Sequence, residues 1–309
     1  MNKIVFLDAD TLGTDVSLEP ISKLGDLVTY PYTAPENVCE RIKDCDILIV
    51  NKVRIGKEQI DAAPELKLIC VAATGTNNID IPYAASKGIP VKNAVGYSTG
   101  SVVQVTFAMV LSLVGQMTYF DEAVKSGRYS GGLSFTDVTR GFWELKGKKY
   151  GIIGLGNIGS GVAAIAEAFG MEVVYCPTSG KAHSDKYKAL PLEQLMASCD
   201  VISIHAPLNE RTNNLITYDK LALMKPSAYI VNMGRGGIIN EADLVRALNE
   251  NKIAGAGVDV FTNEPFPPDA PFMNLKDTSK MILTPHIGWA SKEARICLVG
   301  KIAENIASL

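Results

Sequence analysis

Histidine is scarce in this chain. His183, His205 and His286 are its only members, so few side chains can move a proton near neutral pH. His286 sits in Thr284-Pro285-His286-Ile287-Gly288-Trp289, directly after the apolar run Met281 to Leu283. Pro285 stiffens that approach. His205 ends the run Val201 to Ile204 and precedes Ala206-Pro207. A structural or ligand-lining role suits it better than catalysis. His183 lies among Lys181, Ser184 and Lys186 and reads as a solvated loop residue. Two other strand ends carry charge. Tyr229 to Asn232 runs into Met233-Gly234-Arg235-Gly236-Gly237, and Gly255 to Val258 runs into Asp259-Val260-Phe261-Thr262-Asn263-Glu264-Pro265. A lone Arg or Glu is most often a surface charge. Here three strand ends of one sheet offer complementary groups: Arg235, Glu264 and His286. Together they could hold an anion and transfer a proton.

These strands must be positioned by a sheet, and its start is visible at Lys148 to Gly161, KKYGIIGLGNIGSG. A β-branched run (Tyr150, Ile152, Ile153) feeds into Gly154-Leu155-Gly156-Asn157-Ile158-Gly159. An alanine-rich helical pattern follows from Val162 to Phe169. Gly154 permits the tight turn, Gly156 lets backbone approach a pyrophosphate, and Gly159 lets helix and strand pack closely. A pyrophosphate there would face unsatisfied N–H groups at the positive end of the helix dipole.

The chain has 309 residues, 47% of them hydrophobic and 20% charged. That suits two ordered domains and argues against disorder. The net charge is -3, with no block of Lys or Arg. Neither a nucleic acid nor a membrane is expected as partner. The stretch Val102 to Val114 is broken by Gln104, Thr106 and Ser112, too short to span a bilayer, and reads as a buried helix. Six scattered cysteines without metal spacing imply reduced thiols, a cytoplasmic location and no metal site. MNKIVFLDAD reads as a first strand, not a signal peptide.

Before the glycine turn, strands are expected at Ile4 to Leu7, Ile47 to Val50, Leu68 to Ala72 and Ile89 to Val91, with short helices between. Alternation of this kind implies a parallel α/β sheet, which gathers ligands beyond its strand C-termini. Lys52 and the turn Thr74 to Asn78 occupy such ends. A long helix is expected from Ser98-Thr99-Gly100 to about Gly127. A Gly/Ser/Thr-rich loop from Arg128 to Gly141 follows, with aromatic residues reaching Trp143. Strands at Glu172 to Cys176, Val201 to Ile204, Tyr229 to Asn232, Ile253 to Val258 and Met281 to Leu283 continue the second series. The last helix, Lys292 to Ala307, is expected to return to the first domain.

GLGNIG at 154–159, NMGRGG at 232–237, GAGVDVFTNEP at 255–265 and TPHIGW at 284–289 occur in this order. With these motifs the chain resembles the D-isomer-specific 2-hydroxyacid dehydrogenases over nearly its whole length. ATGTNNID at 73–80 and WASKEAR at 289–295 are most similar to the glycerate dehydrogenase (hydroxypyruvate reductase) branch. The resemblance implies an α/β fold of two Rossmann-like doubly wound domains. A flavodoxin-like substrate domain (1–97 plus 285–309) would be discontinuous around an inserted NAD(P)-binding domain (98–284).

The resemblance also implies roles. His286 would be the acid in keto-acid reduction and the base in the reverse direction, since imidazole titrates near pH ~6.5. Glu264 would fix its tautomer and favour its charged form. Arg235 would grip the substrate carboxylate. Further substrate contacts are implied at Lys52, Thr74, Gly75 and Trp289. Cofactor contacts are implied at Gly154, Gly156, Asn157, Ile158, Gly159, Cys176, Pro207, Met233, Gly234, Asp259 and Gly288, beside Arg235 and His286. Asp259 would accept from the nicotinamide carboxamide. A homodimer built on the cofactor domain and the long loop is implied as well.

One departure concerns the cofactor. NAD-specific members end the second strand of this domain with Asp, whereas Val173-Val174-Tyr175 ends here in Cys176. No carboxylate stands there to repel a 2′-phosphate, and Thr178, Ser179 and Lys181 could bind one. Either NAD or NADP is therefore expected. The reaction expected is interconversion of a 2-keto acid and a D-2-hydroxy acid, foremost hydroxypyruvate and D-glycerate, with glyoxylate beside them. D-lactate or another D-2-hydroxy acid is the alternative within that chemistry. An NAD(H)-sensing, corepressor-like binding protein is the alternative outside it.

Overall fold

The computed structural model describes every residue from Met1 to Leu309. They form two compact units, Met1–Ser98 with Trp289–Leu309, and Thr99–Gly288. The second boundary falls after Gly288, so His286 belongs to the second unit.

The first unit holds five strands: β1 (Lys3–Phe6), β2 (Asp26–Thr29), β3 (Ile47–Val50), β4 (Leu68–Val71) and β5 (Val91–Asn93). All pair in parallel, in the order β2-β1-β3-β4-β5. β3 and β4 are buried along their whole length, which explains their uninterrupted apolar sequences. β2 was not expected. It is an edge strand, Asp-Leu-Val-Thr, exposed at both ends, with neither an apolar run nor an alternation to mark it. Four short helices connect these strands: α1 (Glu19–Ser22), α2 (Val38–Ile42), α3 (Lys57–Asp61) and α4 (Ile81–Ser86). The last helix of the chain, α11 (Lys292–Ala307), returns to this unit. Ala294, Leu298, Ile302 and Ile306 recur at helical spacing and join a core with Ile4, Phe6, Ile47 and Ile49. Truncating fully buried Leu298 to Ala would cost about 2–5 kcal/mol.

The second unit holds β6 (Lys149–Ile153), β7 (Glu172–Cys176), β8 (Lys188–Ala189), β9 (Val201–Ile204), β10 (Tyr229–Asn232), β11 (Gly255–Val258) and β12 (Met281–Leu283). Their order is β12-β11-β10-β9-β6-β7-β8, all parallel. The winding reverses between β6 and β9, where such sheets open a crevice.

The helix expected to run unbroken to Gly127 is instead two, α5 (Thr99–Val114) and α6 (Met117–Lys125), bent by 64°. Gln116 adopts φ +52°, the left-handed conformation that ends helices. α5 buries Val102, Phe107, Met109, Val110 and Leu113 with Tyr150, Ile152 and Val231 of the sheet. No single helix is long and apolar enough to cross a membrane. The remaining helices are α7 (Asn157–Ala168), α8 (Leu192–Ser198), α9 (Tyr218–Leu221) and α10 (Glu241–Asn249). α10 starts where Asn240 accepts the Asp243 N–H at 3.1 Å. It buries Leu244, Val245, Ala247 and Leu248.

Candidate active site

Three neighbouring strands deliver the charged groups. Asn232 of β10 is level with Val258 of β11, and Val258 is level with Leu283 of β12. Arg235, Glu264 and His286 each follow one of these aligned ends. His286 Nδ1 lies 2.8 Å from Glu264 Oε2. The other Glu264 oxygen accepts the Phe261 N–H at 3.0 Å, so the carboxylate is anchored at both ends. The carboxylate fixes which imidazole nitrogen faces inward, leaving Nε2 to act on a ligand.

His286 adopts φ +53°, a conformation that costs a non-glycine residue of order 1–3 kcal/mol. The turn around it is pinned by Asp259, which is 2% exposed. Asp259 Oδ1 accepts Thr284 Oγ1 at 2.6 Å and the Ile287 N–H at 2.8 Å, while Oδ2 accepts the Gly288 N–H at 2.8 Å. Burial raises its pKa despite these donors. The sequence suggested a carboxylate facing the cofactor. In the structure it chiefly holds the His286 turn, with one acceptor position left on Oδ2. Gly288 closes the turn: its carbonyl accepts Ser101 Oγ at 2.6 Å, and a Cβ there would meet the Met233 methyl at 2.8 Å.

Arg235 rides on a turn braced by buried Asn232. Asn232 Nδ2 donates to the Arg235 carbonyl at 3.0 Å, and its oxygen accepts the Gly234 N–H at 3.1 Å. Nη1 of Arg235 donates to the Gly234 carbonyl at 2.8 Å, which aims the guanidinium. Gly236 then passes so close to the next loop that a Cβ would lie 1.9 Å from the Phe261 carbonyl carbon. The arginine turn and the glutamate loop are thereby locked together.

At the reversal of the sheet, Gly154 turns with φ +91° and its N–H donates to the Cys176 carbonyl at 3.1 Å. A Cβ on Gly154 would press on the His205–Ala206 backbone at about 3 Å. No side chain caps α7, which begins with Asn157, Ile158 and Gly159. A Cβ on Gly156 would meet nothing within 4 Å. Open space before an uncapped helix of this length fits a pyrophosphate. Pro207 and Gly234 lie nearby along the same crevice: a Cβ on Gly234 would meet the Ala206 carbonyl at 2.7 Å.

His183 is not a free loop residue. Its Nε2 lies 2.9 Å from the Leu155 carbonyl, and its ring stands edge-on to Tyr175. His205 Nε2 lies 2.8 Å from Ser203 Oγ, while its enclosed Nδ1 has no partner. Burial pushes its pKa down to about 3, so it is neutral and unsuited to deliver protons. At the end of β7 stands Cys176, whose thiol pKa is raised by burial, followed by Pro177, Thr178 and Ser179 rather than an acid. Arg211 Nη1 donates to the Ser179 carbonyl at 3.0 Å, bringing a second cation to the loop of Lys181. Sequence reading missed Arg211 because only the β7–β9 spacing of the folded sheet brings it there.

In the first unit, Lys52 follows β3 and Thr74 follows β4. Thr74 Oγ1 donates to the Ala94 carbonyl at 2.9 Å, and the Thr74 carbonyl accepts Asn93 Nδ2 at 2.6 Å. The backbone N–H groups of Thr74 and Gly75 donate to no protein acceptor. Trp289 packs edge-on to Tyr97 against this unit's core.

A sheet that binds a dinucleotide at its reversal, and sets an imidazole–carboxylate pair beside an arginine, defines a pyridine-nucleotide oxidoreductase. Residues 107–288 match the family model "D-isomer specific 2-hydroxyacid dehydrogenase, NAD binding domain". The chain belongs to the D-isomer specific 2-hydroxyacid dehydrogenase family and uses NAD or NADP. It is 36% identical to a hydroxypyruvate reductase of Blautia hydrogenotrophica, covering 98% of this chain and 95% of that protein. It is 34% identical to a glycerate dehydrogenase of Methylorubrum extorquens, covering 98% and 95%. Among solved structures, a D-lactate dehydrogenase of Aquifex aeolicus complexed with NAD and lactic acid superposes with TM-score 0.85. Identity there is 27%, covering 99% of this chain and 94% of that one.

Proposed function

We propose that this enzyme reduces hydroxypyruvate to D-glycerate, and glyoxylate to glycolate, and runs the reverse oxidation. The observation that carries the chemistry is the 2.8 Å contact between His286 Nδ1 and Glu264 Oε2, beside Arg235 on the adjoining strand end. Full-length similarity to a hydroxypyruvate reductase and a glycerate dehydrogenase supports the substrate. The bound nicotinamide supplies the hydride that reaches the carbonyl carbon. His286 Nε2 gives its proton to the carbonyl oxygen as that oxygen gains charge, while Glu264 holds the ring by its Nδ1. Arg235 holds the substrate carboxylate with its planar fork and polarises the carbonyl. In the first unit, Thr74 and Gly75 offer N–H groups for a carboxylate, with Lys52 and Trp289 as side-chain candidates.

The test follows A340 with NADH and NADPH against hydroxypyruvate, glyoxylate and pyruvate. Hydroxypyruvate should give the highest kcat/KM; a tenfold preference for pyruvate would move the assignment to a lactate dehydrogenase. His286→Ala should lower kcat about 10²–10⁴-fold and leave cofactor Kd within threefold. An equal loss in both would make the histidine structural.

The loop following α6 supports a homodimer as the working form. Leu133, Phe135, Val138 and Phe142 are 65–108% exposed there, an apolar display that a second copy would cover. Phe135→Asp should halve the mass seen by light scattering; an unchanged mass would refute that interface. All six cysteines are free thiols, in keeping with the reducing cytoplasm.

A further inference from the structure

Glu241 opens α10, in the same connection from β10 that carries Arg235. That connection is stiff. The Asn214 N–H donates to the Gly237 carbonyl at 2.7 Å, and the Ile216 N–H to the Ile238 carbonyl at 3.0 Å. The Asn240 N–H returns to the Ile216 carbonyl at 2.9 Å. Ile238 and Ile239 are buried. Glu241 is therefore presented from a fixed base, and its Oε1 accepts the Thr262 N–H at 2.7 Å.

The target is one peptide unit, Phe261–Thr262. Gly236 lies against the same unit: a Cβ there would stand 1.9 Å from the Phe261 carbonyl carbon and 2.3 Å from the Thr262 nitrogen. The connection thus grips this peptide twice, by close contact at Gly236 and by a hydrogen bond from Glu241. Phe261 is also the residue whose N–H anchors Glu264 Oε1 at 3.0 Å. The opposite oxygen of Glu264 lies 2.8 Å from His286 Nδ1. A short path of direct contacts leads from Glu241 through Thr262, Phe261 and Glu264 to the imidazole. The loop does not need Glu241 to stay attached. The Phe261 ring packs edge-on against Phe266 and Phe272, at centroid distances of 4.8 Å and 5.5 Å, within the core of the second unit. The hydrogen bond from Glu241 fixes the direction of a peptide that burial already holds in place.

We propose that Glu241 is a positioning residue for the Glu264–His286 pair: by holding the Phe261–Thr262 peptide, it sets where the Glu264 carboxylate meets the imidazole. Its effect on turnover rests on the keto-acid reading, which it deepens by adding a residue that acts through Glu264.

Three replacements separate reach from charge. Glu241→Gln keeps an acceptor at the same reach and removes the charge. Glu241→Asp keeps a charge at the start of α10 and withdraws the acceptor. Glu241→Ala removes both. Thr262 is exposed, so water meets its freed N–H and the fold is kept. Kinetics use the keto acid that wild type turns over best. Because small misplacements of catalytic groups are costly, Glu241→Ala and Glu241→Asp should lower kcat roughly tenfold, with KM and cofactor Kd within about threefold. Glu241→Gln should hold kcat within about twofold of wild type. Hydrogen exchange at the Phe261 amide, followed by NMR, needs no turnover. It should quicken roughly tenfold in the Ala and Asp variants and keep its wild-type rate in Gln. Wild-type kcat in Glu241→Ala overturns the proposal, as does a Gln variant as impaired as Ala. A rise in cofactor Kd matching the fall in kcat, or unchanged Phe261 exchange in Glu241→Ala, overturns it too. If wild type turns over no keto acid, the keto-acid reading falls and the exchange rates alone decide the role of Glu241.

Discussion

Asp259 Oδ2 accepts the backbone N–H of Gly288 at 2.8 Å, and Oδ1 accepts that of Ile287 at the same distance. These bonds clamp the backbone immediately after His286, whose φ of +53° needs such support. Asp259→Asn puts an amide N–H where an acceptor is required. Losing bonds to a charged group costs about 1.5–3 kcal/mol, so kcat should fall roughly 10–100-fold. Steady-state kinetics on the purified variant decides the matter. A kcat within twofold of wild type would show that the turn holds itself.

The strand end at Cys176 sets the second prediction. With no carboxylate at that position and Arg211 drawn to the Ser179 carbonyl, the loop holds two cations, Lys181 and Arg211. Cys176→Asp should raise the ratio of kcat/KM for NADH over NADPH at least tenfold. Unchanged relative values would mean that cofactor choice is made elsewhere.

Gly236 makes the third. A methyl group there would lie 1.9 Å from the Phe261 carbonyl carbon, which is backbone and cannot rotate away. Gly236→Ala must separate the arginine turn from the glutamate loop. A loss of stability of about 1–3 kcal/mol is expected, with kcat down more than tenfold. Thermal melts and turnover measured together should both move. A normal melt with normal turnover would contradict the packing.

The fourth concerns acid. His205 has its pKa lowered from 6.5 to about 3 by burial. Above pH 6.5 neither the folded nor the unfolded chain protonates this ring, so it has no effect on stability there. Below 6.5 the unfolded chain binds a proton that the folded chain refuses, and stability falls with pH down to about 3. At pH ~5 this amounts to about 2 kcal/mol. His205→Gln should therefore show a smaller drop in urea midpoint between pH 7 and pH 5 than wild type. Equal drops would locate the acid sensitivity in other groups.

Much of this molecule is legible in its sequence where one local rule decides. α10 runs from Glu241 to Asn249 because Asn240 can cap it and its apolar residues recur at helical spacing. The buried strands β3 and β4 announce themselves as unbroken apolar runs, and β9 and β10 as apolar runs with one polar residue each. Where pairing decides instead, the sequence is silent. β2 and two-residue β8 exist because β1 and β7 offer them an edge. The bend at Gln116 depends on a single left-handed residue inside an otherwise helical pattern. In the site, the charged residues were readable from their positions after strands. The inward turn of Asp259, the contact of His183 with Leu155 and the approach of Arg211 to Ser179 were not, since each joins residues far apart in the chain.

The placement of Arg235, Glu264 and His286 after three adjacent strands has a consequence for inheritance. Their mutual geometry is written in one stretch from β10 to the turn after β12, and the strand order keeps it there. The residues of the first hundred positions contribute nothing to that internal alignment. A lineage could therefore revise the loops after β1, β3 and β4 while the unit of Arg235, Glu264 and His286 descends unaltered.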